Sequence, residues 1–314
     1  EKVHAKTKMP VGLIITIYLL FILFILFTIG YFFYVELSHI FSDLPTILAS
    51  LSDKLHNISI ALADRGLHIP DKVDKEYINN WVESHNDTIM NVISAFGLNL
   101  WQIILIMFYL FFLLYYRDLV REFFASRFQD KRKLVAVRSR IQKSLGLVRN
   151  YLYGMLLLTI ISAVMNYLVF LLFGLHFGLF FAVFLAILNL IPFIGNPVGL
   201  VVIMLFAFIT KDNFMVPVYI FIALFVVNFL QDNVIRPLII GDKLKMNAFT
   251  VFVAIMVGGM IWGVSGMILF IPLIGIVKIF MEGNEVASHY TILFSDLPKK
   301  GKIKDTADPE VVAE

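Results

Sequence analysis

The sequence predicts an all-α integral membrane protein with about eight hydrophobic helical segments, and three observations carry that prediction. Sixty per cent of the 314 residues are apolar and only 16 % are charged, where a soluble domain runs nearer a quarter charged. Several apolar runs approach or exceed the roughly 20 residues a helix needs to cross a bilayer. Period-2 alternation is nowhere sustained, so helices rather than strands are left to satisfy their own backbone hydrogen bonds in hydrocarbon. Several segments are expected to be short, broken or re-entrant. An extracytoplasmic helical insertion and a cytoplasmic amphipathic helical segment are expected beside them.

Residues 1–35 read as an N-terminal membrane helix, continuously apolar from about Val11 to Phe33 and preceded by Lys2, Lys6 and Lys8. The run is too long for a signal-peptide core and lacks a small-residue cleavage site. A start at Glu1 rather than Met is consistent with further residues, up to whole helices, upstream. Residues 36–93 carry four Lys/Arg against nine Asp/Glu and read as a soluble insertion. Within it Leu37, Phe41, Leu44, Leu48, Leu51, Leu55, Ile58 and Leu62 keep one apolar stripe on a helix. Pro45 is expected to kink or restart that helix. A second amphipathic stretch follows with Tyr77, Ile78, Trp81, Val82 and Ile89, suited to a helical hairpin or a subunit contact.

Residues 94–116 form a second membrane helix. Residues 117–150 hold ten Lys/Arg against three Asp/Glu, with Leu134, Val137, Ile141, Leu145 and Val148 at helical spacing. This is the pattern of a basic amphipathic segment on a membrane face, not of a nucleic-acid partner. The positive-inside rule places it in the cytoplasm, the acidic 36–93 insertion outside and the Lys-bearing N-terminus inside. Residues 151–281 form the membrane core, with apolar stretches near 151–173, 177–191, 198–210, 214–230, 247–262 and 265–281. Most are shorter than one crossing requires. The polar tail, 282–314, carries Lys299, Lys300, Lys302 and Lys304 and is expected in the cytoplasm.

The chemistry the chain lacks is as informative. The sequence contains no Cys, which removes thiolate nucleophiles, thiolate metal sites and disulfides together. It has neither a Gly-x4-Gly-Lys-Ser/Thr phosphate loop nor a His-Glu-x2-His zinc motif. His39, His56, His68, His85 and His176 show no ligand spacing. An enzyme, a cofactor and a metal site are therefore not expected.

Candidate functional residues cluster at two interruptions of the core. Pro192, Gly195, Asn196 and Pro197 form one, with Asn189 just before; Pro237, Gly241 and Asp242 form the other. Paired Pro/Gly breaks in transporters mark discontinuous helices whose freed N–H and C=O groups face a cavity; ordinary turns between helices have the same composition. Before the second break lie Asn228, Gln231, Asp232, Asn233 and Arg236. Asp232 and Arg236 are four apart and can pair on a helix, with Asn228 one turn earlier. Charge in a bundle faces protein, water or a partner. A structural ion pair, a polar permeation path and a protonatable site at Asp232 all remain open, although pairing with Arg236 disfavours a simple proton carrier. Gly258, Gly259, Gly263 and Gly266, with Pro272 beyond them, supply a Gly-x3-Gly spacing for close helix packing or a hinge. Gly195/Gly199 and Gly174/Gly178 repeat the spacing.

The ordered set "NLIPFIGNPVG" (Asn189 to Gly199), "NFLQDNVIRPLIIGDKLKMNAF" (Asn228 to Phe249) and "GGMIWGVSGMILFIPL" (Gly258 to Leu273) resembles the autoinducer-2 exporter family. The resemblance covers most of the chain and is strongest over its last 140 membrane residues. It implies a multi-pass protein of a bacterial or archaeal cytoplasmic membrane, often with two helices before the span read here as the first. It further implies secondary export of a small polar signal, or Na⁺(Li⁺)/H⁺ antiport as in some relatives, and assembly as a homo-pentamer in contact with membrane lipids. The positions that match the family pattern are Pro192, Gly195, Pro197, Gln231, Asn233, Pro237, Gly241, Gly259, Gly263, Gly266 and Pro272. A non-transporting membrane scaffold is the reading from a different class.

Overall fold

A computed structural model describes residues 9–63, 100–127, 131–239, 246–282 and 289–295, with the isolated positions 80, 84 and 87. Among the described residues every regular element is helical, and the chain is an all-α, multi-pass membrane protein. By length and hydropathy four helical stretches can cross a membrane, or five if a bent pair counts as one.

The first helix, α1 (Val11–Ser42), outruns its apolar stretch because nothing before Asp43 interrupts the backbone ladder. Only Leu19 and Phe33 of α1 are buried. Ile17, Phe21, Phe24 and Tyr31 are more than half exposed, the surface a bilayer covers. Asp43 ends α1, and α2 (Leu44–Ala63) restarts with Pro45 in its first turn, where helical N–H groups have no partner to lose. Pro45 thus restarts the helix. The second amphipathic stretch, and with it Tyr77, Trp81 and Ile89, lies outside the described residues.

Next come α3 (Leu100–Tyr115) and α4 (Arg117–Arg127), with a bend of 54° between them. Then α5 (Lys131–Leu172) runs for 42 residues, about 63 Å at 1.5 Å per residue. From Lys131 on, the basic stretch and the first core span are therefore one helix: no Pro or turn residue separates Arg149 from Tyr153, and Gly146 leaves the helix intact.

The core continues with α6 (Gly178–Leu188), α7 (Gly195–Thr210), α8 (Met215–Leu230), a π-helical turn (Gln231–Ile235), α9 (Arg236–Ile239), α10 (Ala248–Met281) and a 3₁₀ turn (His289–Phe294). Gly174 stands at φ +57° in the turn before α6 and Gly178 is the first residue of α6. Their Gly-x3-Gly spacing therefore does not mark one helix face, contrary to the sequence reading.

The chain divides into two compact units. The first holds Glu1–Leu134, Asn166–Phe184 and Leu200–Leu224. Here α1 packs along α3, and Phe33 meets Phe180 edge-on at 5.4 Å. Lys54 of α2 donates to the carbonyls of Phe208, at 2.6 Å, and Lys211, and lies over the rings of Phe208 and Phe214. Carbonyls at a helix end lack intrahelical partners, and a cation there also meets the negative end of the helix dipole. Desolvation pushes the Lys54 ammonium below its ordinary 10.5, with the Asp212 carboxylate opposing.

The second unit holds Val135–Met165, Leu185–Gly199 and Phe225–Glu314. Its core is Tyr151 of α5 packed on Ala254, Ile255 and Ile271, with Met155, Val251, Phe270 and Ile274 around them. Ile255 and Ile271 are sixteen residues apart, which a straight helix would hold about 24 Å apart. They share one cluster because α10 is not straight. Gly263 (φ 61°, ψ −141°) reverses the chain, so 248–262 and 264–281 run back along each other as two arms. Trp262 meets Phe270 edge-on at 5.6 Å across the reversal. The 34-residue stretch, one of the four long and apolar enough to cross as a single helix, is therefore a helical hairpin rather than one long span.

Candidate functional site

The first break is a tight reversal between α6 and α7. Pro192 cannot donate a backbone hydrogen bond, so the ladder stops. The Ile194 N–H reaches back only two residues, to the Pro192 carbonyl at 2.8 Å. That bond closes a γ-turn around Phe193, which sits at φ +66° without being glycine. Such turns are strained and persist where the surroundings hold them. Gly195 is obligatory: a Cβ there would stand 1.6 Å from the Leu188 carbonyl oxygen. At Gly199 a Cβ would come within 2.5 Å of Leu185 Cδ1. Pro197 falls in the first turn of α7, where its missing N–H costs nothing.

The second break is the π-helical turn. The ring of Pro237 excludes the carbonyl four residues back, that of Asn233. The chain widens instead, and the Arg236 N–H bonds to the Gln231 carbonyl five residues back. The Asn233 side chain covers the Phe229 carbonyl at 2.9 Å. Widened turns of this kind recur at functional sites because they re-aim side chains. Gly241 and Asp242 lie outside the described residues.

Widening changes which polar groups meet. Asp232 and Arg236 form an ion pair at 3.0 Å. Asn228, which regular helical spacing puts on their face, instead donates to Asn196 Oδ1 at 3.1 Å. Gln231, 1 % exposed, accepts at Oε1 from Asn189 Nδ2 at 3.3 Å. The two breaks are thus tied by two amide pairs, Asn189 with Gln231 and Asn196 with Asn228.

Around the ties lies a cavity of about 330 Å³ whose wall includes Tyr151, Asn189, Pro192, Phe193, Arg236 and Pro237. Apolar side chains, Leu158, Val251 and Ile271 among them, make up much of the rest. Gln231 meets this wall through Asn189, and Asp232 through Arg236. Arg236 Nε and Gln231 Nε2 are buried donors with no hydrogen-bond partner among the described residues. A buried, unused donor costs about 1–3 kcal/mol, and of these two residues it is Arg236 that lines the cavity, where an acceptor can meet it. The Tyr151 hydroxyl is held only loosely, 3.5 Å from the Ile268 carbonyl. An apolar chamber whose wall also carries Asn189, Arg236 and Tyr151 suits a small molecule bearing oxygen acceptors.

The glycines act across the α10 reversal. A Cβ on Gly266 would stand 1.9 Å from the Gly258 carbonyl oxygen, and one on Gly258 2.4 Å from that of Gly266. At Gly259 the neighbour is the flexible Met267 side chain, at 2.8 Å. Gly263 has open space and is required for its φ alone. Pro272 is buried within the second arm. Sequence reasoning passed over Tyr151, whose signal, one of two tyrosines with Tyr153 where a basic stretch becomes apolar, is weak. It also passed over Lys278, only 6 % exposed near the end of the second arm. No group of three or more His, Cys, Asp or Glu placed to hold a metal occurs among the described residues.

Similarity extends to YrrI of Bacillus subtilis (strain 168), 30 % identical over 45 % of this chain and 38 % of that protein, and to YhhT of Escherichia coli (strain K12), 27 % identical over 52 % and 46 %. Both are provisionally designated transport proteins. TqsA of the same E. coli strain, designated an AI-2 transport protein, is 25 % identical over 51 % of this chain and 46 % of its own length. The matched region thus spans less than half of each of these relatives. The family model described as AI-2E family transporter matches residues 1–284, which takes in both breaks, the cavity wall and both arms of α10, and the chain belongs to that family.

Proposed function

We propose that the chain is a secondary transporter that exports a small polar molecule similar to autoinducer-2, with the 330 Å³ cavity as part of its path. One observation carries the reading: two Pro-containing breaks, 45 residues apart at Pro192 and Pro237, open on one chamber that also receives Asn189, Arg236 and Tyr151. Broken helices at a polar cavity are how transporter folds expose backbone and side-chain polar groups to a solute without exposing them to lipid. The volume is in the range of small-molecule sites. An antiporter reading puts Asp232 at the centre, but its carboxylate is already matched by Arg236 at 3.0 Å. In the reading proposed here both termini are cytoplasmic, residues 36–93 lie outside, the membrane is a bacterial or archaeal cytoplasmic one, and the protein works as a homo-oligomer, a pentamer by family resemblance.

Proteoliposome flux tests the proposal. Autoinducer-2 is expected to move down an imposed gradient. Arg236→Met is expected to cut that flux at least tenfold, and Asn189→Ala severalfold. Sodium movement coupled to protons and abolished by Asp232→Asn would replace the proposal with the antiporter. Absence of flux for both solutes would favour a scaffold.

A further inference from the structure

The chain beyond the α10 hairpin returns to its base. Asn247 caps the first arm: its Oδ1 accepts from the Thr250 N–H at 2.7 Å. Its amide also has two donors, and both are used on the C-terminal segment, reaching the Leu293 carbonyl at 2.8 Å and the Ser295 carbonyl at 3.1 Å. The backbone N–H of Asn247 donates to the Phe294 carbonyl at 3.1 Å. The Thr250 hydroxyl, 6 % exposed, adds a 3.3 Å bond to Leu293. Three consecutive carbonyls thus converge on one helix start. They come from the end of a 3₁₀ turn closed by a Ser295 Oγ bond to the Thr291 carbonyl at 2.9 Å. Carbonyls at the end of one helix and N–H groups at the start of another are each other's missing partners, and their dipoles agree in sign.

What this clasp holds is the arm that walls the cavity. Val251, one residue past Thr250, lines it, and Ala254 and Ile255, one turn on, pack against Tyr151. A shift of the base of the arm relative to 293–295 breaks the bonds that Asn247 and Thr250 make there. We propose that residues 289–295 form an autoinhibitory strap that restrains the first arm of α10, so that its release speeds movement of solute through the cavity. The regulatory half of this inference rests on the transport reading above; the mechanical half does not.

Asn247→Asp separates the strap from the cap. A carboxylate still accepts from the Thr250 N–H, but both donors are lost and the carboxylate is turned towards the Leu293 and Ser295 carbonyls, which it repels. Thr250→Val removes only the hydroxyl bond. In the full chain reconstituted in lipid, amide hydrogen exchange is expected to rise at least tenfold over 290–295 in Asn247→Asp. A smaller rise is expected over 251–255, with the rest of the second unit unchanged; Thr250→Val gives the same pattern more weakly. Autoinducer-2 flux in proteoliposomes is expected to rise severalfold in Asn247→Asp. Unchanged exchange over 290–295 would show that these donors do not hold the segment. Faster exchange there with none over 251–255 would make it a passive contact. Released exchange with unchanged or reduced flux would remove the inhibitory role. If the parent chain moves no autoinducer-2, the transport reading fails, while the exchange pattern still decides whether the strap restrains the arm.

Discussion

Replacing Gly266 by Ala asks whether α10 is a hairpin, because the two geometries give effects of opposite sign. In a continuous helix Gly258 and Gly266 would lie about 12 Å apart, and Gly→Ala in a helix interior would stabilise by about 1 kcal/mol. In the hairpin the new methyl group would stand 1.9 Å from the Gly258 carbonyl oxygen, 2.6 Å from its carbon and 3.0 Å from Trp262 Cβ. Side-chain carbons essentially never come within 3.0 Å of such neighbours, and two of these atoms belong to backbone that cannot rotate aside. The arms must part by about 1 Å, a gap that forfeits up to about half of each dispersion contact across it. Overpacking of this kind costs about 1–3 kcal/mol. Unfolding titrations in mixed micelles, following the Trp262 environment beside Phe270, measure the difference directly. Destabilisation by 1 kcal/mol or more is expected in Gly266→Ala; an unchanged or more stable variant would refute the reversal at Gly263.

Three further outcomes follow from single contacts. Gly146 lies in α5 with no other side chain or distant backbone within 4 Å of the place a methyl group would take, so Gly146→Ala is expected to raise stability by about 1 kcal/mol in the same titration. Asn189→Ala leaves buried Gln231 without its partner and is expected to cost about 1–3 kcal/mol. The pair Asn189→Leu with Gln231→Leu should cost less than the sum of the singles, as a double-mutant cycle would show. Lys54→Met keeps the stem but removes the donors to Phe208 and Lys211, so faster hydrogen exchange is expected in α2 and at the end of α7, with solute flux unaffected.

The membrane class and the places where helices stop were legible because they depend on local composition. Pro192 and Pro237 interrupt the ladder locally, and the apolar stretches read near 247–262 and 265–281 correspond to the two arms of α10. The direction the chain takes after a break was not legible. Gly258 and Gly266 are spaced as residues that pack against another helix, and nothing local says that the other helix is the next arm of the same one. Pairing across the breaks was hidden for a related reason. Asn228 was expected beside Asp232 and Arg236 by 3.6-residue spacing, and the π-helical turn, forced by Pro237, moved it to Asn196 instead. Tyr151 gave little sequence signal because its position in the cavity is set by α10, a hundred residues later. The continuity of α5 across residue 150 was not legible either, since a change of charge marks an environment and not a helix end.

Because the sequence contains no cysteine, single introduced thiols report on the chamber directly. Thr159→Cys puts one in its wall, and Thr16→Cys puts another in the apolar groove of the first unit, between α1 and α3. The rate of modification by a small thiol reagent, with and without autoinducer-2, tests whether the paired breaks enclose a solute path. The expected result is a severalfold slowing at residue 159 that is lost on adding Arg236→Met, with no change at residue 16. Equal rates at residue 159 with and without solute, in vesicles that transport it, would contradict the assignment of the path to this cavity.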